Sequence, residues 1–204
     1  LVADEALARG ERGPMSSTVD VLQYLSAYAK GPDAYAEFSA SLVPTHRWQV
    51  VSDSGGSSST DLARAHHPGR FAYDLSSLNG VDPWAVVLTA HPPNETSHEH
   101  STMSYLQAAG TADALVIEFC GPAPAGPESA SVRSVVGRQG DGMPDAPAGP
   151  FEVEIPLPRS KERVGPHEVF TADEAAKLFE AFYRTDKVAD GYRLRPVERY
   201  LDHP

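Results

Sequence analysis

The chain has 204 residues, of which 28 are acidic and 17 basic, for a formal net charge of -11 at pH 7. That balance argues against a nucleic-acid partner, whose affinity rests on Lys and Arg neutralising phosphates, and suits encounter with a cationic protein. One cysteine, Cys120, excludes an intramolecular disulfide and every multi-cysteine zinc site. No apolar run approaches the length a bilayer requires, and no charged n-region leads into an apolar h-region, so the expected location is the cytoplasm. Hydrophobic residues at 41%, with 16 Gly and 18 Pro, predict one modest core interrupted by many turns.

Residues 1–14, LVADEALARGERGP, carry too few apolar positions to dock firmly and are expected to be a poorly ordered extension or expression-derived sequence. Residues 15–204 then form a single α+β domain. From Thr18, the positions Val21, Leu22, Leu25 and Ala29 recur at helical spacing, until Gly31 and Pro32 stop the pattern. Asp33 caps a second, shorter helix carrying Tyr35, Phe38 and Leu42 and closed by Pro44, so the two make a helical hairpin. Residues 47–51 read as a strand and SDSGGSSSTD, residues 52–61, as a flexible polar loop. Strands are predicted over residues 70–75 and 84–90, while 102–106 fits either strand or helix. Residues 115–120 read as a buried strand, with residues 131–138 as its partner across a Pro/Gly-rich loop. In FEVEIPL, residues 151–157, Phe151, Val153, Ile155 and Leu157 alternate with Glu152 and Glu154, the pattern of a half-exposed antiparallel strand. Residues 139–150 are then a long hairpin loop joining these last two strands.

Residues 166–200 form the most legible segment. Thr171 and Glu174 have the spacing of a reciprocal capping box, which starts a helix at Ala172. Ala175, Leu178, Phe179 and Phe182 form one apolar stripe, and Glu180 and Arg184 have the favourable i,i+4 spacing. Asp190 and Gly191 supply a turn, after which Tyr192 and Leu194 alternate with Arg193 and Arg195. Pro196 removes a ladder donor and predicts a strand at a sheet edge or near its own end. The fold class expected is α+β, an antiparallel sheet of about five to seven strands packed against an N-terminal helical hairpin and one C-terminal helix.

Candidate chemistry is sparse. His98 and His100 in ETSHEHS, with His91, Glu95 and Glu99 nearby, have the ligand types of a divalent metal site, the alternative being solvent-exposed loop histidines. His66 and His67 read as loop residues. No serine lies in a GxSxG elbow, and Gly55–Ser59 lacks the lysine and context of a phosphate loop. Cys120 ends an apolar run and reads as a buried small hydrophobe. Glu118 is expected to face solvent or pair with an arginine, because alternation sets it opposite Leu115, Ile117 and Phe119. Glu152 and Glu154 fit a solvated strand face better than a glycosidase pair. The sequon at Asn94 has meaning only in a secreted protein.

The segment FTADEAAKLFEAFYRTDKVADGYRLRPVE, in its architecture of strand, capped helix and positively charged terminal strand, resembles the C-terminal part of small immunity proteins from bacterial polymorphic toxin systems. The resemblance covers the last third of the chain. It implies a cytoplasmic antitoxin that binds a cognate toxin domain and blocks its active site, with no catalysis and no cofactor of its own. Under that reading the contact elements are two loop sets chosen for exposure and chemical versatility: Arg138, Gln139, Asp141 and Asp145, and Glu95, His98, Glu99 and His100. The competing expectation is a small metal-dependent enzyme or ligand-binding protein that uses residues 91–100.

Overall fold

The structure is a computed structural model that describes residues 26, 27, 29–34, 44–53, 56–63, 69–91, 104–123, 130–139 and 152–201. The chain divides into two compact units, residues 1–43 with 63–66, and residues 44–62 with 67–204. In the first unit, the residues described on either side of Gly31 are helical, and Gly31 itself takes a positive φ of 109°. The rest of the expected hairpin lies outside the described residues, as do residues 1–14.

Among its described residues the second unit is an antiparallel β structure with two α-helices. Its strands are β1 (His46–Val51), β2 (Ser57–Leu62), β3 (Ala85–Ala90), β4 (Ser104–Thr111), β5 (Ala114–Pro122), β6 (Ala130–Arg138), β7 (Val153–Leu157), β8 (Ser160–Val164), β9 (Val169–Phe170) and β10 (Tyr192–Leu201). Helix α1 (Gly69–Ser76) and helix α2 (Ala172–Thr185) join them, and a 3-10 turn, Pro166–Glu168, precedes β9. The main sheet has eight strands, running β10-β6-β5-β4-β3-β1-β2 with β9 paired to β5, while β7 and β8 form a separate two-stranded hairpin. Among the described residues no helix is long and apolar enough to cross a membrane.

Both helices cover one face of the sheet. Trp48, Val86, Leu88, Leu106, Leu115, Ile117 and Val136 from the strands meet Phe71, Leu75, Leu178, Phe179 and Phe182 from the helices in one buried cluster. At its centre the Trp48 ring lies 5.0 Å from Phe71 and 5.5 Å from Phe179, near edge-on to the latter, an arrangement aromatic quadrupoles favour. The buried indole keeps a partner, since Trp48 Nε1 donates to Asp74 Oδ2 at 2.7 Å. The capping box forms as expected: Thr171 Oγ1 accepts from the Glu174 amide and the Glu174 carboxylate accepts from the Thr171 amide at 3.1 Å. Ala175, Leu178, Phe179 and Phe182 are all buried.

Among the described residues, the β7–β8 hairpin covers one end of the opposite face. Ile155 and Val164 pack there on Val116 and Val135. Gly110 permits this approach: its φ is 124°, and an added Cβ would stand 2.6 Å from Ile155 Cγ2 and 2.4 Å from the Ala114 carbonyl oxygen.

Three expectations are corrected and one left open is resolved. Residues 70–75 belong to α1: Phe71 and Leu75 are buried while Tyr73 between them is exposed, which a period of two cannot produce and a helical period can. The Ser-rich stretch contains strand β2, recruited by pairing with β1 and by an Arg47–Asp61 ion pair at 3.0 Å between directly opposed residues. Residues 104–111, ambiguous at their start, are strand, with Leu106 and Ala108 buried on the helix side. Finally, β6 pairs with β5 as expected but its other neighbour is β10, and β7 pairs with β8, so residues 139–150 do not join hairpin partners.

Candidate binding surface

Beyond the β7–β8 hairpin the second face of the sheet is polar. Cross-strand register sets Tyr105 opposite Cys120, Gln107 opposite Glu118, Cys120 opposite Arg133, Arg133 opposite Glu198 and Ser131 opposite Tyr200. These side chains bond laterally across four strands. Gln107 Nε2 donates to Glu118 Oε2. Arg133 Nη1 reaches both Glu118 oxygens at 3.1 Å, and its Nη2 donates to Glu198 Oε2 at 2.9 Å. The Tyr200 hydroxyl donates to the same Glu198 oxygen at 2.7 Å.

Exposure rises steadily along this row, from 13% for the Glu118 side chain through 30% for Arg133 to 47% for Glu198. The network is therefore anchored inside and open at the edge strand. Its electrostatics follow that gradient. Burial would lower the Arg133 pKa, but the charges of Glu118 and Tyr200 together with the hydrogen bonds to Glu118 and Glu198 outweigh it, and the guanidinium stays firmly protonated. The Tyr200 hydrogen bond, then Arg133, hold Glu198 below the usual carboxylate range, and the same bond to Glu198 pushes the Tyr200 phenol up. Burial, reinforced by Cys120, raises Tyr105, and burial raises Cys120 despite hydrogen bonds from Ser131 and Tyr105. Cys120 is thus a buried thiol without thiolate character.

A second polar cluster joins the turn at Pro166–Glu168 to β10. Glu168, 1% exposed, accepts from Arg195 Nε at 2.6 Å, from Arg195 Nη2 at 3.0 Å and from the Gly165 amide at 2.9 Å. Burial would raise this carboxyl, but these bonds hold it down. Arg193 Nη2 contacts His167 Nε2, and burial followed by the Arg193 charge lowers the His167 pKa. Gly137 lets these groups lie on β6, because an added Cβ would stand 3.0 Å from the His167 ring. Both Glu168 oxygens are occupied and hidden, so this cluster fastens the fold, whereas the Glu198 side chain is half-exposed.

No protein-family model, curated protein or solved structure matches the chain.

Of the contact residues read from the sequence, Arg138 and Gln139 are described; Arg138 ends β6 and Gln139 follows it. Arg138 donates to Glu174 Oε1 at 3.2 Å and Oε2 at 2.7 Å and lies 4.7 Å from the Phe170 ring centre, tying β6 to α2. The Gln139 amide donates to the Gly191 carbonyl at 3.0 Å. Asp141, Asp145, Glu95, His98, Glu99 and His100 lie outside the described residues, as do His66, His67 and Asn94. His91 Nε2 stands 3.8 Å from Asp61 Oδ1. Among the described residues no group of three or more His, Cys, Asp or Glu is placed to hold a metal ion. Glu118 does pair with an arginine, as expected, and Cys120 is buried. Sequence reading missed Arg133, Glu198 and Tyr200 as a unit. The only signal available was Glu118 inside an apolar run, since Arg133 and Glu198 lie 65 positions apart.

Proposed function

We propose that this chain is a protein-binding inhibitor of the immunity type: in the cytoplasm it binds a cognate toxin domain and blocks its active site, without catalysis of its own. The observation that carries this reading is edge strand β10, where Val197 and Tyr200 are 40% and 39% exposed beside the Arg133–Glu198 network. Exposed apolar and aromatic groups framed by preformed polar bonds are the composition of an interface, in which a few anchors hold and the charged rim orients. Because the polar side chains already fix one another, little rotamer freedom remains to be lost on docking. The net charge of -11 favours approach to a basic surface.

The loop sets Arg138, Gln139, Asp141, Asp145 and Glu95, His98, Glu99, His100 belong to this proposal as further contact elements. The N-terminal helical hairpin belongs to it as part of the fold, supported by the helical residues around Gly31. Co-expression with a toxin domain encoded beside this gene is expected to restore growth and to yield a complex that copurifies. If neither growth nor copurification follows, the reading fails.

A further inference from the structure

At the rim of the network, one carboxylate is oriented but incompletely used. Glu198 accepts both of its hydrogen bonds, from Arg133 and from the Tyr200 hydroxyl, on Oε2. Oε1 accepts none among the described residues, and the side chain is 47% exposed. The Tyr200 hydroxyl bond also fixes the phenol ring close to that carboxylate, with the residue 39% exposed. Val197 stands in a β-bulge of the same strand, without a cross-strand partner, and is 40% exposed.

We infer that Glu198 and Tyr200 form a receptor for an arginine side chain presented by a protein partner. A carboxylate oxygen beside an exposed aromatic face suits a guanidinium, which donates in its plane while stacking on the ring. Within the network two carboxylates, Glu118 and Glu198, face one guanidinium, Arg133, which leaves one negative charge uncompensated at the open end. An anion would meet that charge unfavourably. A lysine would satisfy the carboxylate but lacks the planar group that stacks, so arginine is the better fit. Neighbouring cations are turned elsewhere: Arg199 lies between Glu198 and Tyr200 in the strand and so points to the other face, and Arg195 is bound to Glu168. The inference rests on the protein-binding reading only in making a protein the source of the arginine.

A short oligo-arginine peptide, titrated into the isotopically labelled full chain and followed by NMR, tests it. Shifts are expected to concentrate at the amides of residues 197–200 and at the facing positions 131–133. Glu198→Gln and Tyr200→Leu should each weaken peptide binding about tenfold, the loss of one charged hydrogen bond or one stacked face. Glu162→Gln, which removes the same charge from exposed strand β8, should leave binding unchanged. Shifts spread over the whole acidic surface, equal effects of Glu198→Gln and Glu162→Gln, or an oligo-lysine peptide binding as tightly, would each overturn the inference. Localised shifts together with failed co-expression would keep the arginine receptor and remove the immunity reading; dispersed shifts with a copurifying toxin domain would do the reverse.

Discussion

Two glutamates show how position decides what the same carboxylate does. Glu168 is sealed by three donors and holds the turn before β9 against β10, while the Glu198 side chain stands half-exposed at the edge strand. His167 beside Glu168 gives the first group a pH signature. Its folded pKa lies below the usual value near 6.5, chiefly through burial and then the Arg193 charge. As pH falls below about 6.5 the unfolded chain binds a proton that the folded chain still excludes, so stability declines downward from there until the lowered folded pKa is passed. Urea midpoints measured between about pH 7.5 and 5.5 should therefore drop more for the natural protein than for His167→Gln. Equal drops would remove His167 as the source. Little of this was legible beforehand, because nothing in the sequence marks the turn at Pro166–Glu168 and the partners Arg193 and Arg195 are brought there only by the fold.

Among the elements, legibility followed the strength of local signals. Helix α2 was readable to its first residue because cap, stripe and i,i+4 pair are encoded within a few positions, and each forms. Replacing Thr171 by Ala leaves first-turn donors without their acceptor and should cost about 1 kcal/mol in chemical denaturation, with Thr171→Ser restoring most of it. An unchanged midpoint would mean that packing alone sets the helix start. Helix α1 and strand β2 were misread for a common reason. Over eight residues the apolar positions of α1 fit either period, and β2 has no strand propensity of its own; in each case a tertiary partner decides, Phe179 over Phe71 and β1 beside β2.

For the molecule as a whole, the order of patterned elements correctly indicated an α+β fold with an antiparallel sheet, though the five to seven strands expected become eight in the main sheet, and Pro196 fits an edge strand. Strand order was not legible. The alternation of β6 and β7 invites them to be paired, yet which strands neighbour each other depends on the total apolar area that α2 and the hairpin cover on opposite faces. The candidate surface was hidden for the same reason, since it exists only when β5, β6 and β10 lie side by side. Its charge has a kinetic consequence at this scale. Association with a basic toxin domain should slow about tenfold between roughly 0.02 and 0.5 M salt, while dissociation changes less. A salt-independent association rate in stopped-flow mixing would show that the net charge of -11 has no steering role.

The pairing of β10 with β6 also shapes how the protein folds. The central hairpin, β4 with β5, joins neighbours in sequence, but β10 must close a long loop before its first contact is made. The outer strand is thus the element expected to dock late and to open early, with its amides exchanging faster than those at the centre of the sheet. A partner gripping Glu198 and Tyr200 would bind only the docked form and so hold the strand in place, making recognition and completion of the sheet a single linked equilibrium.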